Sequence, residues 1–139
     1  MASNVTLTWV QKKQFVGTDS SKHSIVISAQ DEENGTGMKP SELLMLGLAS
    51  CSAYDVVGIL GKKKMTLTGM TVNATGEQDT EPPWPYRRIH LEYVVRGKGL
   101  TEKAVANAIH LSETKYCSVA ATVRPTAEIT TSYQIIEDE

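Results

Sequence analysis

From Leu43 to Leu60 almost every residue is apolar or small, with Pro40 just before the run and Gly61-Lys62-Lys63-Lys64 just after it. Pro suits the first turn of a helix, where its missing N–H is not needed. Gly61 is then expected to end the helix, and the Lys triplet reads as a solvated C-terminus whose charge suits the negative end of the dipole. A helix apolar on every side is predicted to be covered on every side. It is not expected to span a membrane: Ser50, Ser52 and Asp55 break a run that would need about 20 largely apolar residues. At 139 residues, the chain has room for one domain with its own core, and 1–139 reads as a single unit.

The segments around this helix read as strands and shorter helices. Val5, Leu7 and Trp9 alternate with Thr6 and Thr8, the period of a half-buried strand. Phe15–Thr18 and His23–Ser28 read as further strands, and Asp31–Gly37 as a turn-rich loop. Met65–Thr75 and Arg88–Arg96 follow. In the second of these Ile89, Leu91, Tyr93 and Val95 point one way, while Arg88, His90, Glu92 and Arg96 point the other. Glu81-Pro82-Pro83-Trp84-Pro85 between them reads as a rigid loop. Thr101 is placed to cap a helix with Val105, Ala108, Ile109 and Ser112 on its inner face. Tyr116–Val123 reads as a short helix stopped at Arg124-Pro125, and Ala127–Ile136 as a closing strand with Ile129, Tyr133 and Ile135 on one face. The resulting class is α+β, with antiparallel sheets packed on a buried central helix.

Composition excludes several functions. The net charge of −2 gives no electrostatic case for nucleic acid, and an aromatic content of 6% gives no stacking platform for it. No amphipathic basic helix supports membrane binding. The first residues show no secretory signal, and two cysteines without one predict free thiols in a reducing compartment, hence the cytoplasm. His23, His90 and His110 lack metal-ligand spacing, so neither a metal nor a bound cofactor is expected.

Chemistry therefore rests on Cys51 and Cys117. They are 66 positions apart, which fits neither a CxxC redox motif nor a zinc knuckle. Either could be a small buried hydrophobe. Cys117, just before the short helix, is placed where a dipole favours the thiolate. On a regular helix Asp55 projects within about 40° of Cys51, putting a carboxyl beside that thiol.

Gly37-Met38-Lys39-Pro40-Ser41-Glu42-Leu43-Leu44, running into Leu48-Ala49-Ser50-Cys51, resembles the first motif of the OsmC/Ohr family, the osmotically inducible and organic hydroperoxide resistance proteins. Tyr116-Cys117-Ser118-Val119 resembles its second motif, and Cys51-Ser52-Ala53-Tyr54-Asp55-Val56-Val57 is closer to the OsmC-like branch. The resemblance implies an OsmC-like fold, an intertwined homodimer, and thiol-dependent reduction of organic hydroperoxides in oxidative-stress defence. Cys51 would become a sulfenic acid and Cys117 would resolve it to a disulfide. An external dithiol, a lipoylated or other dithiol protein, would then reduce that bond. Peroxidase members carry an arginine in the N-terminal strands and a glutamate directly after the motif proline. Here the first arginine is Arg87, leaving Lys12, Lys13, Lys22 or Lys39 as cations, and Ser41 follows Pro40 with Glu42 one place later. Nine positions from Cys51, Glu42 projects to the opposite helix face and reads as a partner of its own helix dipole. Asp55, Glu42 and Lys39 are the supporting site candidates. Two other functions fit the same scaffold: a non-catalytic dimer binding a lipophilic ligand, and a thiol redox sensor.

Overall fold

The computed structural model describes residues 1–138, which fall into two compact units, Met1–Leu44 and Met45–Glu139. The first unit is a three-stranded antiparallel sheet of β1 (Thr6–Gln11), β2 (Gln14–Thr18) and β3 (Ser24–Ser28) in that spatial order. The turn-rich segment after β3 folds back on it: Gly37 lies so close to the Val26 backbone that a Cβ there would stand 2.6 Å from Val26 O. Glycine permits this approach because it has no side chain to collide. The strand expected at Val5–Trp9 is present as β1, but it is not half-buried. Every residue of β1 is exposed, Trp9 by 64%, because nothing in the unit packs on either face of that strand.

Helix α1 (Pro40–Lys62) starts in the first unit and continues through the second. It begins at the proline, as its sequence dictates, but passes through Gly61; the positive φ of the exit falls on Lys64 at 57°. The expectation that it is covered all round is corrected. Leu48, Ala49, Ser52, Val56 and Leu60 are buried, whereas Tyr54 is 82% exposed and Leu46 and Val57 are exposed too. By length and hydropathy alone α1 could cross a membrane, but one of its faces is part of the unit's own core.

The core of the second unit is that face of α1 against a sheet of β4 (Thr66–Gln78), β5 (Tyr86–Lys98) and β6 (Glu128–Glu137), with β5 central. Alternation in β5 delivers Ile89, Leu91, Tyr93 and Val95 to the core, each essentially fully buried. Each such side chain is worth about 1.5–3 kcal/mol relative to exposure. β4 and β5 pair antiparallel, but β5 and β6 run parallel, which corrects the all-antiparallel expectation. The physical reason is the crossover between them: α2 (Glu102–Leu111), a π-helical turn (Ser112–Tyr116) and α3 (Ser118–Val123) carry the chain back to the starting edge. Thr101 caps α2 as expected, its hydroxyl accepting from Ala104 N at 3.1 Å. The π turn was not legible beforehand; it brings Cys117 N–H to Ser112 O at 2.8 Å.

Candidate functional site

Two helical elements of the second unit bring the cysteines together. Cys51 sits in the middle of α1, half-buried, where Ser52 and Leu48 beside it turn into the core. Cys117 follows the π turn and caps α3, only 3% exposed, its Sγ accepting from Ala120 N at 3.3 Å. The two thiols are neighbours that act on each other electrostatically, although 66 positions separate them.

The Cys117 thiol is pushed up to about 11, first by burial and then by the neighbouring Cys51 thiol. This overturns the expectation that a helix start makes Cys117 a thiolate. A helix of six residues has a short dipole, and desolvation in the core outweighs it together with the Ala120 and Val119 amides that act the other way.

Beside the thiols runs a buried chain of hydroxyls. Tyr93 OH is hydrogen-bonded to Ser52 Oγ, Ser52 Oγ lies 3.2 Å from Ser112 Oγ, and Ser112 Oγ donates to Asp55 Oδ2 at 2.8 Å. A serine hydroxyl holds one proton. Ser112 Oγ has both Asp55 Oδ2 and Ser52 Oγ within donating reach, and the carboxylate is the stronger acceptor for its one proton. Burial pushes the Tyr93 hydroxyl upward, opposed by its bond to Ser52. Asp55 is also on the wall of an open apolar groove of about 960 Å3, with Ala53, Tyr54, Gly58, Tyr116 and Ser50, the chain neighbour of Cys51, among its lining.

The other candidates lie elsewhere. Lys39 and Glu42 are exposed residues of the first unit at the start of α1, where Glu42 N–H donates to Lys39 O. Glu42 is the acidic residue of the first turn, in keeping with a dipole partner. Lys12 is engaged by Glu33 within the same unit. Arg87 and Arg88 are exposed and paired on the sheet surface, with Asp79 at 2.9 Å and Glu128 at 3.5 Å respectively. His90 is held between Thr130 and Ser132, a structural role.

Sequence reasoning brought Cys51, Cys117 and Asp55 to one place. It missed Ser52, Tyr93 and Ser112 as a connected set, although each was visible as a polar group on an otherwise apolar inner face.

Residues 32–132 match the family model described as OsmC-like protein, a span that crosses the boundary between the two units. Protein YhfA of Escherichia coli K12 is 34% identical over 128 residues, covering 92% of this chain and 94% of that protein. Among solved structures, a hypothetical protein from Aquifex aeolicus VF5 superposes with a TM-score of 0.89 at 29% identity, covering 100% of this chain and 99% of that one. An organic hydroperoxide resistance protein from Elizabethkingia anophelis, at 13% identity and a TM-score of 0.71, is alike in fold over 98% of this chain and 97% of its own.

Proposed function

The chain belongs to the OsmC family, and from that premise we propose that it is a two-cysteine reductase of organic hydroperoxides serving oxidative-stress defence. The observation that carries this reading is the difference between two neighbouring thiols: Cys51 is half-buried, whereas Cys117 is buried and held protonated. Only a reachable sulfur can meet a peroxide, and only a neighbouring thiol can resolve the product. The groove adds the third element, since its apolar lining suits a lipophilic hydroperoxide and its volume of about 960 Å3 is ample for one.

The reaction proceeds in two balanced steps. Cys51 sulfur attacks the outer peroxide oxygen, the O–O bond breaks, and the products are Cys51 sulfenic acid and an alcohol. The Cys117 thiol then displaces water from the sulfenic sulfur, leaving a Cys51–Cys117 disulfide for an external dithiol to reduce. No bound cofactor takes part. A homodimer belongs to the proposal: each unit exposes apolar residues for a second copy to cover, Leu7 and Trp9 in the first and Leu46 and Val57 in the second. The cytoplasm is the location that keeps both thiols reduced at rest.

The test is free-thiol loss after one equivalent of cumene hydroperoxide, with intact mass read alongside. Loss of both thiols within seconds, with a mass two hydrogens lower and no covalent dimer, is the expected result. Survival of both thiols for an hour sinks the peroxidase and leaves the groove as a binding site for a lipophilic ligand.

A further inference from the structure

The hydroxyl chain ending on Asp55 links α1 to β5 and to the π turn, and all its members are deeply placed. Ser52, Tyr93 and Ser112 are each at least 97% buried and each hydrogen-bonded. Replacing such hydroxyls by apolar groups of similar shape is close to neutral for stability, so a buried polar set of this size calls for a purpose beyond folding. Its end point supplies one. The chain terminates on a single carboxylate, held by the Ser112 hydroxyl, and that carboxylate lies one helical turn from Cys51, about 6 Å from it between Cβ atoms, on the wall of the groove. Ser112 also ties this carboxylate to the second thiol, because its carbonyl accepts the Cys117 N–H while its hydroxyl holds Asp55.

Resting on the peroxidase reading, we infer that Asp55 carries the proton of the peroxide step and that Ser112, backed by Ser52 and Tyr93, is the positioning residue that aims it. The Cys51 thiol proton passes to the Asp55 carboxylate. Cys51 sulfur then forms its bond to the outer oxygen, the O–O bond breaks with its electron pair leaving on the alkoxide, and Asp55 returns the proton to that alkoxide. Thiol plus hydroperoxide gives sulfenic acid plus alcohol, the sulfur oxidised by two electrons and the peroxide reduced by two, with Asp55 regenerated. Tyr93, Cys117 and Glu113 are the titratable groups on the core side of this chain, and Tyr54, Tyr116, Lys62 and Lys63 those on the groove side.

The deciding experiment compares two reagents on the same sulfur. Cumene hydroperoxide needs a proton for its leaving group; iodoacetamide, which expels iodide, does not. Asp55→Asn is expected to slow the hydroperoxide reaction of Cys51 by about 100-fold, the scale of general acid–base catalysis, and iodoacetamide alkylation by much less, since alkylation loses only the base and not the acid for the leaving group. Ser112→Ala shows the same split at about 10-fold, and Ser112→Thr restores the wild-type rate. Parallel losses with both reagents, or no loss with the hydroperoxide, overturn the proton role while the peroxidase reading stands. A wild-type protein inert to hydroperoxide ends both together. Should Asp55→Asn not fold, Ser112→Ala and Tyr93→Phe decide the matter by the presence or absence of the same split.

Discussion

Two three-stranded sheets lie in one chain, and they solve the burial problem in opposite ways. In the second unit α1 and the crossover helices close over β5, so Leu91, Tyr93 and Val95 are sealed from water without outside help. In the first unit the β1 residues Leu7, Trp9 and Val10 face solvent, and β3 exposes Ile25 and Val26. Strands with the same apolar alternation thus have opposite fates. Alternation states which side chains share a face; it does not state whether anything covers that face. The second sheet is a core. The first is a surface awaiting one.

The largest expected effect tests that contrast by paired truncation. Leu91→Ala should cost about 2–5 kcal/mol by denaturant unfolding, at any protein concentration. Leu7→Ala should cost no more than about 0.5 kcal/mol in dilute solution, and more as concentration rises, since a homodimer would bury it. Equal, concentration-independent costs at both positions break the comparison.

A smaller effect concerns the sealed thiol. Cys117 titrates near 11 in the folded chain, above the ordinary 9.0. Between those values the folded state keeps a proton that the unfolded state has lost, so stability is full below pH 9 and falls as pH rises through about 11. The expected loss grows by about 1 kcal/mol between pH 9 and 10 and reaches roughly 2 kcal/mol near pH 11, absent in Cys117→Ala. Tyr93 is raised as well and adds a loss of the same sign above pH 10, so the difference between wild type and variant is read at pH 9–10. A flat wild-type profile there would mean that water reaches Cys117.

Smallest of all is the exposed Lys12–Glu33 pair of the first unit. Lys12→Ala should change stability by less than about 0.5 kcal/mol and leave Cys51 reactivity untouched. A marked drop in thiol reactivity would instead bring that lysine into the site.

How much of this was legible in the sequence follows the range of each signal. Pro40, the β5 alternation and the Thr101 cap are local, so the elements they define came out within a few residues. Gly61 misled because a helix can run through glycine at modest cost, and Lys64 took the left-handed exit instead. The parallel β5–β6 pairing is long-range, decided by a crossover containing a π turn that no periodicity announces. At the site, helical spacing placed Asp55 beside Cys51, and the dipole argument for Cys117 failed against burial. Ser112 could not be joined to Asp55 beforehand, since 57 positions and three other elements lie between them.

The separation of the two cysteines has a mechanical consequence. Thiols that touch in space but lie 66 positions apart in the chain would, once joined, tie α1 to the crossover and close most of the second unit into a ring. Such a ring removes roughly 4 kcal/mol of freedom from the unfolded chain in the loop-closure description. The oxidised protein would then melt at a higher temperature than the reduced one, and each catalytic cycle would alternately stiffen and relax the molecule around its own substrate groove.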